Sequence, residues 1–325
     1  MPLEVRRFQA ADERHWEEFV QRANNGTLFH ERRFLSYHPP ERFRDHSLLL
    51  WREGRLLALF PAAERQVNGE RWLVSHPGAS YGGPVYLPDL TFRQSFDCVA
   101  ALKAYAQAQG FHRLVLTLPP AIYQQRVSQY IDFALLKHSF SYLKREVSSM
   151  LEIAHSDEAI LAAFRPTHRT AVRKAQRAGV EIRQSEDWAE FYQILQRNLK
   201  IRHGVAPTHT LEELLRLKEL YPERILLFGS YWQGRLTAGV VLFLVNSRVA
   251  LAFYISHDEA FQHLRPLNLL FYRVLCWCRE QGYTYLDFGI FTVDMEPNFG
   301  LARFKENFGA SGVFRDTFIC DLKAP

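Results

Sequence analysis

The chain carries one ordered set of segments in its first half and again in its second. The first set begins "HSLLLWREGRLLALFPAAERQVNGERWLVSHPGAS" and the second "ERILLFGSYWQGRLTAGVVLFLVNSRVALAFYISHDEA". In each, an apolar strand meets a turn carrying Gly-Arg-Leu (Gly54-Arg55-Leu56 and Gly234-Arg235-Leu236), then a second apolar strand, a polar hinge and a third strand. Further on, a helix ends in Gln-Gly-aromatic (Gln109-Gly110-Phe111 and Gln281-Gly282-Tyr283) and runs into another strand. A residue that closes a helix in the left-handed region is most cheaply glycine, which has no Cβ to clash. A small-aromatic-small triplet also starts six residues before each of these glycines, Ala104-Tyr105-Ala106 and Cys276-Trp277-Cys278. Such a set implies a tandem duplication. Each copy is an antiparallel hairpin set followed by a helix and a strand, an α+β fold class.

Between the copies, "VSSMLEI" (147–153) reads as a strand, and "SDEAILAAF" as a helix capped by Ser156. "RPTHRTAVRKAQRAG" reads as a second helix ending at Gly179, "VEIRQS" as a short strand, and 187–221 as two helices broken by "HGVAPTHT". At 325 residues the chain has room for two domains. Hydrophobic residues at 47% and charged residues at 23% are those of a globular protein, and a net charge of +5 favours anionic partners. The longest aliphatic run, "AGVVLFLV" at 238–245, is far short of the roughly 20 residues that span a bilayer. The N-terminus has no apolar signal-peptide core, and the four cysteines follow no metal-ligand spacing, so a cytoplasmic compartment with reduced packing thiols is expected.

The residues that could carry chemistry lie mostly in the second copy. Lys305, in "RFKENFG", stands between Phe304 and Phe308. A lysine there either snorkels to water from a strand end or is held in a desolvated site to meet an anion. Asp287, in "YLDFG", stands in an apolar run where an unpaired carboxylate is rarely tolerated. It is a general base or the residue that orients Lys305, or else a structural ion pair or turn cap. Arg165, Arg169, Arg173 and Arg177 form a stripe on one helix face, either solvated or tracking phosphates. "HLRPLNLL" opens a helix with Pro266 at its first position, and helix N-termini cradle phosphate. No glycine-rich phosphate-binding loop precedes it. No Gly-Lys-Ser/Thr accompanies the glycines of "SHPGASYGGP", so that stretch is a turn shaping a cleft, with Tyr81 and Asp89 on its rim. His257, Asp258 and His263 match no standard metal spacing, and no serine or cysteine has the company of a covalent nucleophile.

The order "HRTAVRKAQRAGVEI", "YLDFGI", "RFKENFG", with "NGTLFHERRFLSYH" and "SYGGPVYLPD" earlier, resembles the Fem-type N-acyltransferases. The resemblance covers nearly the whole chain. It implies two tandem GNAT-like domains, 1–147 and 148–310, with a cleft between them and a strand at about 311–325 returning to the first. The implied activity is transfer of an acyl or aminoacyl group to an amine in peptidoglycan, other cell-envelope or exopolysaccharide precursor synthesis. The implied donor is aminoacyl-tRNA or an acyl thioester such as acyl-CoA, with no bound cofactor and no metal. The acceptor is a small-molecule or nucleotide-linked amine, and charged tRNA is a partner on the tRNA-dependent reading. The resemblance places Lys305 at the transfer site. It gives Arg202 to the substrate phosphates; Arg303, Phe304, Tyr81 and Asp89 are further candidates for substrate binding, and Arg265 and Asn268, at the helix N-terminus, for donor contact. Tyr254, after a strand that splays in GNAT folds, is either a proton donor to the leaving group or a core aromatic. The alternatives are an acyl-CoA-dependent small-molecule N-acetyltransferase and a scaffold that only binds phosphate or RNA.

Overall fold

The computed structural model describes residues 3–203 and 206–322, with the side chains of 201–203 outside the description. The chain divides into two compact units, Met1–Val147 with Phe314–Pro325, and Ser148–Val313. Each has its own hydrophobic core.

Unit 1 runs β1 (Glu4–Arg7), α1 (Glu13–Arg22), α2 (Arg32–Leu35), β2 (Arg44–Asp45), β3 (Leu48–Arg52), β4 (Arg55–Phe60), β5 (Ala62–Val67), β6 (Glu70–Ser75), β7 (Val85–Tyr86), α3 (Phe92–Ala108), β8 (Arg113–Thr117) and α4 (Tyr130–Lys137). Strands β1, β3, β4 and β7 form one sheet in the order β1-β3-β4-β7. Strand β5 follows β4 after Pro61 but pairs in a different sheet, with β6. Proline has no N–H to give a ladder, so the strand breaks there and changes partners. Strand β6 then lies parallel to β8 through three pairs, Trp72↔Arg113, Leu73↔Leu114 and Val74↔Val115.

The strand β9 (Ser141–Glu152) crosses the division of the chain, and residues 150–152 pair with a strand of unit 2. Unit 2 continues α5 (Asp157–Ala163), α6 (Pro166–Arg177), β10 (Glu181–Ser185), α7 (Trp188–His203), α8 (Leu211–Leu220), β11 (Ile225–Trp232), β12 (Arg235–Leu244), β13 (Val249–His257), α9 (Pro266–Glu280) and β14 (Tyr285–Ile290). A hairpin of β15 (Thr292–Val293) and β16 (Glu296–Pro297), the helix α10 (Phe299–Glu306) and β17 (Ser311–Asp321) follow. Here β10 to β14 form a single run in sequence order, and β12 is unbroken. Strand β17 closes back on β8 of unit 1, Thr317↔Thr117 to Asp321↔Arg113.

The repeat is physical as well as textual. Both Gly-Arg-Leu turns hold two successive residues at positive φ, Glu53 (51°) with Gly54 (77°) and Gln233 (49°) with Gly234 (76°), which matches the twist of a two-residue hairpin. Both hairpins then insert one extra residue: Leu57 falls between the pairs Leu50↔Ala58 and Trp51↔Leu56, and Thr237 between Ser230↔Ala238 and Tyr231↔Leu236. The two helix ends are also alike. Gly110 and Gly282 have φ of 71° and 81°. Their N–H groups donate to Gln107 and Arg279, and those of Phe111 and Tyr283 to Ala106 and Cys278, the last residue of each triplet.

Candidate active site

In unit 2 the parallel strands β13 and β14 pair only through Val249↔Tyr285, Ala250↔Leu286 and Leu251↔Asp287. Phe253 is an extra residue in β13 against β12, since Val241 pairs with Tyr254 and Leu242 with Ala252. A bulge kinks and twists its strand, so β13 turns away from β14 just beyond their last pair. Past that point lies a cavity of about 550 Å³. It is lined by Ile255 to His257 of β13, Asn198 of α7, Arg265 to Asn268 at the start of α9, and Leu301 and Phe304 of α10. No carboxylate is among the described residues that line it. Asn198 fixes the strand end, donating from Nδ2 to Ser256 Oγ (2.8 Å) and His257 O (2.6 Å).

The entry to α9 turns positive charge towards the cavity. Arg265 sits in the left-handed region (φ 59°, ψ 43°) and Pro266 takes the first helical position. The N-terminus of this 15-residue helix carries the positive end of the backbone dipole at the cavity wall. Arg265 is exposed there, and Asn268 is 9% exposed. Both residues expected on the donor side thus line the same cavity.

Lys305 and Asp287 meet through the backbone of Gly289. Asp287 is buried and its Oδ1 accepts from Ser148 Oγ and from Gly289 N–H, both at 2.7 Å. Gly289 has φ 74°, a conformation the carboxylate secures and glycine permits. The chain therefore turns and offers two successive carbonyls to Lys305, whose Nζ donates to Gly289 O (2.7 Å) and Ile290 O (2.9 Å). The lysine is 2% exposed, so it does not snorkel; it also lies on a helix rather than at a strand end. Its Nζ stands 6.0 Å from the centroid of Phe291. Burial pulls its ammonium down to about 8, against the opposing pull of the Asp287 charge.

The remaining candidates scatter. Phe304 lines the cavity and packs against Phe308 and Phe271, whereas Arg303 is exposed. Tyr254 is 8% exposed and its hydroxyl is engaged with His209, 2.8 Å from Nδ1 and 3.1 Å from the backbone N–H. Burial raises that phenol to about 12. Tyr81 does not stand on a rim: it is 3% exposed and packs edge-on to Phe29 and against Tyr123, because the glycines of its turn let it fold inward. Asp89 is exposed and paired with Arg55 at 2.7 Å. The side chain of Arg202 lies outside the described residues. In the arginine stripe, Arg169 donates to Ala162 O and Phe164 O, closing the end of α5, and Arg177 to Arg173 O.

Asn198, Ser148 and His209 carry no sequence signal of their own; each is significant only through a partner dozens of residues away. Among the described residues no group of three or more His, Cys, Asp or Glu could hold a metal. The four cysteines are buried thiols, and burial pushes Cys98, Cys276 and Cys278 up to about 12, far from a thiolate nucleophile.

This fold, with a splayed parallel pair at a helix N-terminus, is that of a tandem GNAT protein. Residues 162–306 match the family profile described as an acetyltransferase (GNAT) domain. Over its full length the chain is similar to the crystal structure of FemX, with a TM-score of 0.76 and 14% identity, covering 97% of this chain and 96% of that one. The tandem GNAT protein from the clavulanic acid biosynthesis pathway aligns with TM-score 0.57 and 12% identity, covering 99% of each chain. L-PGS from Bacillus licheniformis aligns with TM-score 0.58 and 13% identity, covering 96% of this chain and 92% of that one. No curated protein sequence matches the chain.

Proposed function

We propose that the chain is a cytoplasmic N-acyltransferase that moves an acyl or aminoacyl group to an amine by direct attack. On this reading residues 1–147 with 311–325, and 148–310, are its two GNAT-like domains. The observation that carries it is the carboxylate-free cavity opening where β13 leaves β14, beside the α9 N-terminus and Phe304. The donor's anionic part lies at Arg265, Asn268 and the helix N-terminus, and its acyl carbonyl lies towards the β13 edge that β14 has left. Two of the three Lys305 N–H directions are held by carbonyls, and Lys305 follows Phe304 of the cavity wall; on this reading its third N–H serves the oxyanion that forms as the amine attacks. Asp287 acts through the Gly289 turn that places those carbonyls.

The acceptor amine must lose its proton to attack. A lysine-type amine costs roughly 4–5 kcal/mol to deprotonate at pH 7, and an α-amine only about 1. An α-amine manages through water, and a side-chain amine needs a base. Precursors of the cell envelope or of exopolysaccharide are the acceptor class the sequence resemblance favours, with aminoacyl-tRNA as donor. A second reading, an acyl-CoA-dependent N-acetyltransferase, is favoured by the phosphate-suited start of α9.

Titration of the purified protein with acyl-CoA and, separately, with aminoacyl-tRNA separates the two donors. One should bind at micromolar concentration or tighter and lose affinity in Arg265→Ala. Binding of neither, with no transfer to any amine tested, overturns the proposal.

A further inference from the structure

Helix α4, "YIDFALLK", is apolar on two sides. Ile131, Ala134 and Leu135 are buried in the unit 1 core, yet Tyr130, Phe133 and Leu136 are 43%, 48% and 43% exposed. A helix that is apolar all round is ordinarily buried all round. Phe92, at the start of α3 and 46% exposed, stands 5.3 Å from the Tyr130 ring and 5.8 Å from that of Phe133, so the half-exposed rings form one patch.

The loop before α4 adds Val127, three residues before Tyr130 and 72% exposed. That loop is clamped. Asn24, 1% exposed, donates from Nδ2 to Arg126 O (2.8 Å) and accepts from Arg126 N–H at Oδ1 (2.7 Å), while its carbonyl accepts from Gln125 N–H (2.7 Å). Gln124 accepts from Ser128 N–H on the far side of the valine (2.6 Å). A buried amide thus holds an apolar loop tip outward. Contiguous exposed apolar surface of this kind marks an interaction site.

Charge says what covers it. Arg126 and Lys137, both exposed, flank the apolar residues. The nearby acids are neutralised or sequestered: Asp97 is paired with Arg52 and Arg93, and Asp132 is only partly exposed, its carboxyl pushed up to about 6 by burial. A second copy of the chain fits poorly, because a two-fold contact would set this face, whose flanking charges are cations, against an identical one. No helix among the described residues is long and apolar enough to cross a membrane, so any contact with lipid through this face is peripheral.

We propose that this face of unit 1 docks on an anionic lipid surface, with Val127 and the rings of Phe92, Tyr130 and Phe133 entering the headgroup boundary and Arg126 and Lys137 against lipid phosphates. It is independent of the chemistry assigned to unit 2.

Sedimentation of the full chain with vesicles tests it. Binding is expected to phosphatidylcholine vesicles carrying phosphatidylglycerol, to be weaker to phosphatidylcholine alone, and to fall with added salt. The pair Val127→Ser with Phe133→Ser and the pair Arg126→Glu with Lys137→Glu should each weaken binding about tenfold or more, with unchanged melting temperature. A wild-type chain that leaves both vesicle types unbound overturns the proposal, as does equal binding by either folded double variant. A wild-type dimer that the serine pair dissociates gives the face to a second copy and also overturns it.

Discussion

The two parallel junctions, β6 with β8 and β13 with β14, are the same device put to opposite uses. Each pairs three residues after a helix closed by glycine, and the third pair comes five residues past that glycine: Val74↔Val115 after Gly110, Leu251↔Asp287 after Gly282. In unit 1 the space beyond is closed by the chain itself. Ser75 Oγ accepts from Thr117 N–H (3.0 Å) and Gly83 N–H (3.1 Å), and Gly82 N–H donates to Thr117 O (2.8 Å). Gly83 has φ 75°, and a Cβ there would come 2.5 Å from Leu118 Cδ2, so the turn sits tight on the strand end. In unit 2 the equivalent space is left open as the cavity, the valine is replaced by Asp287, and Lys305 is held by the turn that follows. The duplicated scaffold gives two alike parallel junctions; whether the gap beyond is filled or left open, and what replaces one hydrophobe, separates a packed end from a candidate site.

The largest expected effect falls on the residue unit 2 adds. Lys305→Ala should lower turnover by roughly 10²–10³ while the melting temperature moves only a few degrees, and Lys305→Arg should rescue poorly, since a planar guanidinium does not reproduce a compact ammonium. Near-normal turnover in the alanine variant would make this lysine a structural clamp only.

The same lysine sets a pH signature that unit 1 has no means to share. Its folded value near 8 lies below the 10.5 of a free lysine, so between those limits the unfolded chain binds more protons. The lysine's own contribution to stability should therefore rise with pH across that window, by up to ~3 kcal/mol, while the buried thiols, pushed up to about 12, pull the other way above pH 9. The gap between wild type and Lys305→Met isolates the lysine from them. If the cation is what turnover needs, activity falls above pH 8 over the range in which the lysine's contribution to stability grows. Denaturant titrations and rates at matched pH measure both.

Asp287→Val would convert the second junction into the first. Unlike unit 1, it would leave the Ser148 hydroxyl and the Gly289 N–H unmatched beside a buried ammonium, at a cost of ~2–3 kcal/mol read from chemical denaturation. Ser75→Ala, which strips two N–H groups of their acceptor in unit 1, should cost ~1–2 kcal/mol and leave acyl transfer unchanged. The smallest effects should be paired ones. Glu53→Gly and Gln233→Gly relieve the same positive φ in the two hairpins and should each stabilise by ~0.5–1 kcal/mol. Unequal gains would show that the two turns are not energetically equivalent.

Much of the fold was readable because its punctuation is chemical. A left-handed helix end calls for glycine, a two-residue hairpin calls for positive φ, and both recur in order. The site was less readable, since its pairings span distance. Lys305 finds its partners in carbonyls 15 and 16 residues upstream, and main-chain atoms leave no mark on a sequence. The spacing of Asp287 and Gly289 is local and does leave one, an aspartate capping the turn two residues on. Tyr254 and Tyr81 were placed by their neighbours in sequence, whereas His209 and Phe29 decide what surrounds them in space.

The return of β17 to β8 has a consequence for the order in which the chain is made. Thr117 and Thr317, whose hydroxyls meet at 3.1 Å, are 200 residues apart. At about 5–20 residues per second, β8 waits roughly 10–40 s during synthesis before its last partner emerges. Through that interval one edge of β8 offers a row of unpaired N–H and C=O groups to any passing strand. The first unit begun is thus among the last finished, and its exposure to wrong pairings is set by how fast the second is translated.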